Sequence, residues 1–364
     1  MSETERTGPP PWLIRSRQVS PHRVEATVDG LPVRVECPDA PLVDVPEAWG
    51  SAFALPASRA GADLDLAVPV DAAWADGARR NVALAAGWWG GRADLVVHAP
   101  RSGRVAAVRR RARPPVPAGG RALCFTGGVD SFFSLLGDAH QPTCLLYVVG
   151  FDVPVGDQSR IDHVVGLVRS VAAERGLPAL IVTTDLRDHP RFAAVSWEHT
   201  HGAALAAIGH LLSATVSTLV VPPSYGADRL VPWGSRPDLD TGWSVPGRLV
   251  VEHGDASGHR LDRVGAIARD PLVWRHLRVC WQNVGSDLNC GRCEKCVRTM
   301  AMLAASDVLD ECETFPSRRH LPAAIDAMEP IPAGTIPMWT DLLTISLRPP
   351  ERDAVDRLLA RSSG

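Results

Sequence analysis

The chain has 364 residues, of which 45% are hydrophobic and 22% charged, and its formal net charge is −3. This length allows two domains, and the composition excludes disordered and collagen-like chains. The nearly balanced charge gives no reason to expect a nucleic-acid partner. The sequence has no apolar run of about 18 residues and no signal-peptide pattern, so we expect a cytoplasmic protein without a membrane partner.

Residues 1–112 are expected to form an N-terminal α+β unit of unknown role. Alternating and helical patterns predict strands at 24–28, 33–37, 94–98 and 104–108 and a helix at 71–90. We interpret the basic run Arg109–Arg111 as a solvated strand end and not as a contact with nucleic acid, since arginine is common throughout the chain. The proline- and glycine-rich residues 113–120 predict a linker.

From residue 121 onward, apolar strands alternate with helices. The predicted strands lie at 121–126, 143–149, 179–184 and 217–221, and the predicted helices at 159–175 and 202–214. This alternation predicts an α/β domain over 121–310, built on a doubly wound parallel sheet that is covered on both faces. Ligands of such sheets bind at the carboxyl ends of the strands, where the strand order reverses. A C-terminal helical segment is expected over 311–364.

A glycine turn follows the first of these strands and precedes a helix. It is the run Thr126-Gly127-Gly128-Val129-Asp130-Ser131, called the glycine loop below. Glycines let backbone N–H groups approach an anion, and the N-terminus of the next helix adds unpaired N–H groups and its dipole. The loop is not a Walker A motif, because the only lysine of the chain, Lys295, is far away in sequence. The alternative is a strand–turn–helix connection in which Asp130 is only a cap.

Four of the eight cysteines are closely spaced as C-x9-C-x2-C-x2-C, namely Cys280, Cys290, Cys293 and Cys296. Four thiolates that close a loop predict a structural, tetrahedral zinc site. A closed site leaves no position for substrate, so we expect no metal catalysis there. An iron–sulfur cluster and unliganded thiols remain alternatives, although the ferredoxin run continues with x3-C-P and this chain has Met300 at that place.

The glycine loop and the cysteine spacing together resemble the 7-cyano-7-deazaguanine synthase family, which are zinc-containing PP-loop enzymes of the ATP pyrophosphatase superfamily. The resemblance covers about residues 121–305, with Thr126 where serine is commoner. It implies a PP-loop fold, the cofactors ATP, Mg²⁺ and Zn²⁺, and often a homodimer. It also implies adenylation of a carboxylate with release of pyrophosphate, attack by ammonia, and a second activation that yields a nitrile.

The resemblance also implies roles for individual residues. The residues expected to bind nucleotide are Asp152 and those of the glycine loop. The loop residues, expected around the phosphates, are Thr126, Gly127, Gly128, Val129, Asp130 and Ser131. Asp130 would hold Mg²⁺, and Asp152 would contact the adenine or ribose edge. The expected catalytic residues are Asp130, Ser131, His201 and Arg260, with His201 as a general base and Arg260 against the leaving pyrophosphate. Three of these residues also have a purely structural interpretation: Asp152 as a turn residue, His201 as a polar residue at the start of a helix, and Arg260 as a surface charge.

The chain departs from the family pattern in three places. Residues 1–112 lie outside the family's usual core, and the segments Gly150–Arg160 and Trp233–Asp238 align poorly with the family. They indicate a diverged member with an N-terminal extension, whose substrate is another small-molecule carboxylate or a modified protein. Two further classes stay open. One is a PP-loop sulfurtransferase that modifies tRNA and needs a persulfide-bearing cysteine or an iron–sulfur cluster. The other is a non-catalytic nucleotide-binding partner subunit.

Overall fold

The structure, a computed structural model, describes residues 9–98, 119–285 and 287–362. Its strands are β1 (Trp12–Ser20), β2 (Arg23–Val28), β3 (Leu31–Glu36), β4 (Leu64–Asp65), β5 (Val97–His98), β6 (Arg121–Cys124), β7 (Cys144–Val149), β8 (Ala179–Thr184), β9 (Thr218–Val221) and β10 (Val250–His253). The predicted strand at 104–108, the basic run at 109–111 and all of the linker but its last two residues lie outside the described residues.

The α-helices of the described residues cover both faces of the sheet. They are α1 (Pro46–Arg59), α2 (Ala72–Trp89), α3 (Val129–Leu136), α4 (Gln158–Glu174), α5 (Pro190–Ala193), α6 (Trp197–Leu211), α7 (Pro237–Asp240), α8 (Arg260–Ile267), α9 (Pro271–His276), α10 (Glu294–Ala305), α11 (Leu321–Asp326), α12 (Ile336–Thr340) and α13 (Pro349–Ser362). None of these described helices combines the length and the apolar character needed to cross a membrane.

The ten described strands form one mixed sheet in the order β10-β9-β6-β7-β8-β3-β2-β1-β4-β5. The five strands β10-β9-β6-β7-β8 are parallel to one another. The chain runs from β6 through β7 to β8 in one direction and then returns to β9 and β10 on the other side of β6. The strand order therefore reverses between β6 and β9, which confirms the predicted α/β arrangement with a parallel core. In sheets of this kind, ligands bind at the carboxyl ends of the strands beside such a reversal.

The N-terminal strands extend the same sheet. Strand β3 pairs antiparallel with β8, with Val35 opposite Thr184, and β2 and β1 follow antiparallel beyond it. The turn between β2 and β3 has positive φ at both Asp29 and Gly30, the geometry that joins tightly paired strands. The sheet of the N-terminal unit is thus continuous with the sheet that carries the glycine loop.

Two hydrophobic cores lie on opposite faces of the sheet. One core joins the N-terminal strands to α1, α2 and α6, with Phe53 and Trp74 fully buried in it. The other core lies under α3, α4, α8, α10 and the C-terminal helices, and it buries Phe125, Phe132 and Met300. The second core connects the glycine loop to the cysteine cluster, because both contribute residues to it.

Helix α2 packs so closely on the loop before β10 that Gly77 admits no side chain. A Cβ on Gly77 would lie 1.9 Å from the carbonyl oxygen of Gly242. Gly77→Ala should therefore lower the free energy of unfolding by about 1–3 kcal/mol or more, since backbone must move. The exposed Gly87 on the same helix has nothing within 4 Å of such a Cβ. Gly87→Ala is the matched control and should stabilise by about 0.5–1 kcal/mol in urea unfolding. Equal effects of the two substitutions would contradict this packing.

His210 ties α6 to the same loop and makes folding sensitive to acid. Its Nε2–H donates to the carbonyl oxygen of Trp243 at 2.8 Å. Burial, and then repulsion by Arg248, lowers the pKa of His210 from 6.5 to about 3. The unfolded chain therefore binds a proton between these values that the folded chain does not. This contribution to stability is complete above pH 6.5 and is lost as the pH falls toward 3.

At pH 5 the loss should be about 2 kcal/mol relative to neutral pH. His210→Gln retains an amide N–H donor and does not titrate, so its unfolding free energy should fall less over the same range. Urea unfolding of both proteins at pH 7 and pH 5 measures the difference. Parallel pH dependences would show that His210 is not the group responsible.

Candidate functional site

A cavity of about 300 Å³ lies at the carboxyl ends of β6, β7 and β9, where the strand order reverses. We call it the first cavity. It brings together eight of the residues expected to act on nucleotide or substrate: Thr126, Gly128, Val129, Asp130, Ser131, Asp152, His201 and Arg260. Residues that are far apart in sequence thus meet at the edge of the sheet that the strand order favours for ligands.

The backbone of the glycine loop is arranged to receive an anion. Gly127 has φ +77°, and a Cβ there would lie 3.0 Å from the side chain of Leu167. The N–H of Arg278 donates to the carbonyl oxygen of Gly127 at 2.8 Å, and this hydrogen bond holds the loop in place. Gly128 is the N-cap of α3 and provides no side-chain cap. Asp130 is therefore not the cap, and the N–H groups of the first turn are available to a ligand.

Ser131 stands in the first turn of α3 and is 4% exposed. Its hydroxyl donates to the carbonyl oxygen of Gly128 at 2.9 Å. This bond holds the side chain against the loop backbone, with lone pairs of the hydroxyl oxygen still free to accept. Ser131 therefore stabilises the turn in this state, and it can reach a phosphate only if the hydroxyl rotates.

Asp130 is held between two arginines of α8. Its Oδ2 lies 3.0 Å from Arg260 and its Oδ1 lies 3.1 Å from Arg263. The side chain of Arg263 is 1% exposed and also donates to the carbonyl oxygens of Pro223 and Tyr225. Arg260 is thus not an isolated surface charge, and the acidic group of the glycine loop is directly connected to the segment after β9.

A lysine also lines this site, namely Lys295. It is far from the glycine loop in sequence, but it lies in the first turn of α10 and lines the same cavity as Asp130. Among the described residues its ammonium group makes no hydrogen bond or ion pair. Burial, and then the nearby Arg260, lowers the pKa of Lys295. The site therefore contains a cation that the sequence pattern alone did not assign to it.

One wall of the first cavity is apolar and aromatic, and it contains Leu146, Val148, Phe151, Trp197 and Leu205. The rings of Phe151 and Trp197 are 4.9 Å apart. Such a wall suits a flat heterocycle. The position of a nucleotide base beside the glycine loop stays a prediction.

Asp152 lies beside this wall, and its carboxylate is already paired. It accepts a hydrogen bond from Arg278, whose side chain is 2% exposed. Asn283 donates to the backbone carbonyl of Asp152 at 3.0 Å and accepts from Arg278 at 2.9 Å. Asp152 is thus part of a buried network, and a contact with ligand would be made by an oxygen that Arg278 leaves free.

His201 lines the first cavity in a form suited to accept a proton. Its Nδ1–H donates to the carbonyl oxygen of Trp197 at 3.2 Å, which leaves Nε2 as the acceptor. Burial lowers the pKa of His201, so the neutral ring is favoured at neutral pH. The neighbouring His199 stacks on Trp89, with the ring centroids 4.1 Å apart, and does not line the cavity. Trp233 lines the cavity, whereas Trp243 is fully buried and cannot stack on a ligand.

The four clustered cysteines form a compact site that could bind a metal such as zinc. The Sγ atoms of Cys280, Cys290, Cys293 and Cys296 all lie within 4.8 Å of one another, and those of Cys290 and Cys296 are 3.9 Å apart. A tetrahedral zinc with Zn–S bonds of about 2.3 Å requires S···S separations of about 3.8 Å. Hydrogen bonding from Cys296 lowers the pKa of Cys293 to about 5, which favours a thiolate.

Local sequence features explain how the cysteines meet. The N–H of Cys293 donates to the sulfur of Cys290 at 3.3 Å, and Gly291 between them has φ +66°. Asn289, which sequence reasoning missed, is buried and joins the two ends of the site. Its Oδ1 accepts from the N–H groups of Val279 and Cys280 at 2.8 and 3.1 Å.

The cysteine cluster and the first cavity share helix α10. Cys293 is the N-cap of α10 and Cys296 lies in its first turn, so a bound metal would fix the start of the helix. Lys295, between them, lines the cavity. The backbone after α9 also connects the two sites, since Arg278 holds the glycine loop two residues before Cys280.

No protein-family model, no curated protein and no solved structure matches this chain. The functional argument therefore depends on the chemistry of the site. The residues that sequence reasoning missed are Lys295, Arg278 and Asn289. Lys295 had one indication, since it is the only lysine in an arginine-rich chain and stands between the clustered cysteines Cys293 and Cys296.

Proposed function

We propose that this protein is an ATP-dependent ligase of the PP-loop type that adenylates a carboxylate and transfers the acyl group to ammonia or an amine. The observation that carries the proposal is the position of the Thr126–Ser131 loop, which lines a cavity where the strand order reverses. Uncapped N–H groups at the start of α3, an aromatic wall and the two cations Arg260 and Lys295 support binding of a nucleoside triphosphate.

In the proposed reaction a carboxylate oxygen of the substrate attacks the α-phosphorus of ATP. The bond from that phosphorus to the bridging oxygen breaks, and pyrophosphate leaves with its charge stabilised by loop N–H groups, Arg260 and Lys295. Nitrogen then attacks the acyl carbon, AMP leaves, and Nε2 of His201 accepts the proton that the nitrogen loses. A second adenylation, now of the amide oxygen, would give a nitrile, as the resemblance implies.

Two metals belong to this proposal. Asp130, with phosphate oxygens, would hold Mg²⁺, which would neutralise part of the phosphate charge. The carboxylate fits this role because it faces the cavity, and its arginine partners would then be free to contact phosphate. Zinc in the cysteine cluster would be structural, because four thiolates leave no open position.

Cys124 bears on the sulfurtransferase alternative. It lines the first cavity, and burial strongly raises the pKa of its thiol. A protonated thiol is a poor nucleophile and a poor sulfur carrier, so the cysteine that lines the first cavity does not favour sulfur transfer. The ligase therefore remains the function that the site supports best.

The test is to incubate zinc-loaded protein with Mg-ATP, ammonium and a panel of carboxylates that includes 7-carboxy-7-deazaguanine. Mass spectrometry then identifies the nucleotides and the products. We expect AMP with at least one carboxylate, and an amide or nitrile of that compound. Formation of ADP in place of AMP would contradict the proposal, because a PP-loop ligase cleaves between the α- and β-phosphates.

A further inference from the structure

A second cavity, of about 230 Å³, adjoins the first one on the side of α8 and α10. The two cavities share a wall made of Asp130, Ser224, Trp233, Arg260 and Lys295. The remaining lining comes from the segment after β9, from α8, from α10 and from the region around α12. A molecule in the second cavity would therefore touch the same acidic and basic groups that face a nucleotide in the first.

The lining of the second cavity carries more positive than negative groups. Its cations are Arg229, Arg260, Arg263, Lys295 and Arg298. Three carboxylates balance part of this charge. Asp130 pairs with Arg260 and Arg263, Asp341 lies 3.0 Å from Arg229, and Glu294 lies 2.6 Å from Arg298. The cavity thus retains a positive excess in a chain whose net charge is −3.

Two hydrogen-bond donors on the shared wall have no acceptor among the described residues. The indole Nε1–H of Trp233 is buried without a partner. The ammonium group of Lys295 also makes no hydrogen bond or ion pair within the described chain. A buried donor without an acceptor is costly, which applies to the indole N–H of Trp233, and the ammonium group of the half-buried Lys295 lies on the same wall. An anionic group in this cavity would supply the missing acceptors.

We propose that the second cavity binds an anionic group of the acyl substrate, so that the substrate is a carboxylic acid that carries a phosphate or a second carboxylate. This inference rests on the proposed ligase function. The phosphates of ATP already have the glycine loop and the start of α3, whereas Arg229 and Arg298 line only the second cavity. Guanidinium groups bind phosphate and carboxylate with two parallel hydrogen bonds. Tyr225 and Trp233 would contact the body of the substrate.

The experiment titrates inorganic phosphate and, separately, acetate into the full-length zinc-loaded protein by calorimetry. Each titration is done with and without saturating Mg-α,β-methylene ATP, which a PP-loop enzyme cannot cleave. We expect the anion to bind while the nucleotide is bound. Arg229→Gln should weaken anion binding at least about tenfold and leave nucleotide affinity unchanged. Tighter binding of phosphate than of acetate assigns a phosphate to the substrate, and the reverse assigns a carboxylate.

Arg236→Gln is the matched control. Arg236 stands in the same segment after β9, packs over Trp88 at 4.5 Å and lines neither cavity. The Arg236→Gln variant should bind the anion with the affinity of the wild type. Competition between the anion and the nucleotide, or equal anion affinity in Arg229→Gln and wild type, would overturn the inference. If the protein binds the anion but no nucleotide, the anion site is supported and the ligase function is refuted.

Discussion

Asp130→Asn is expected to reduce the rate of AMP formation by roughly 10²–10³-fold. The change keeps the shape of the side chain but removes the negative charge that pairs with Arg260 and Arg263 and that would hold Mg²⁺. Arg263 would keep its bonds to the carbonyl oxygens of Pro223 and Tyr225, so the fold should survive. Initial rates at saturating ATP, with urea unfolding of the same sample, separate the loss of catalysis from a loss of stability.

Asp238→Asn is the control for this prediction. Asp238 pairs with Arg236 at 2.9 Å near the surface and lines neither cavity. Its removal should leave the rate of AMP formation within about twofold of wild type, since surface ion pairs contribute little. A fully active Asp130→Asn variant would show that the glycine-loop carboxylate has no part in the reaction.

Removal of the metal from the cysteine cluster should produce the largest loss of stability. A metal that binds only the folded chain stabilises it by about 4 kcal/mol when its free concentration is a thousandfold above the dissociation constant. Cys293 is the N-cap residue of α10, and Cys293→Ser removes its sulfur from the cysteine cluster. We expect the purified variant to lose its metal, to unfold at lower urea concentration, and to bind nucleotide more weakly because α10 also carries Lys295. Elemental analysis of wild type should give one zinc per chain.

Cys312→Ser provides the comparison for this result. Cys312 is buried in the same core, but it is not one of the four clustered cysteines. Its replacement should leave the metal content unchanged. Iron in place of zinc, with broad visible absorbance, would revive the iron–sulfur alternative. A wild-type protein that contains no metal and is no less stable without it would show that the cysteine cluster holds no structural metal.

The parallel core could be predicted because its strands are marked in the sequence. Strand β7 is buried at all six positions, and it reads as an uninterrupted apolar run. The glycine loop and the cysteine cluster were also visible, since each is a short run with a fixed spacing. Local patterns of this kind are what a single sequence displays most directly.

Helix α1 and the first strand could not be predicted from periodicity. Helix α1 is buried from Glu47 through Ser58, with Pro56 inside, so it has no polar face to reveal a helical repeat. Strand β1 is exposed over its last six residues and lacks an apolar alternation there. The predicted strand at 94–98 is reduced to Val97–His98.

The contacts that complete the site are non-local. Lys295 and Asp130 meet only because α10 packs beside α8 over the same face of the sheet, and no local pattern in the sequence encodes that meeting. The contact between Arg278 and Gly127 is also non-local, since the backbone N–H of Arg278 donates to the carbonyl oxygen of Gly127. Sequence spacing identified the glycine loop and the four clustered cysteines, whereas the cations around the loop required the fold.

The central claim, reversible formation of an acyl-adenylate at the glycine loop, is tested most directly by exchange of radiolabelled pyrophosphate into ATP. The protein is incubated with Mg-ATP, labelled pyrophosphate and the carboxylate that supports AMP formation, without a nitrogen source. We expect label to enter ATP only when the carboxylate is present and to be lost in Asp130→Asn. Continued formation of AMP without any exchange, or hydrolysis to ADP, would contradict the account.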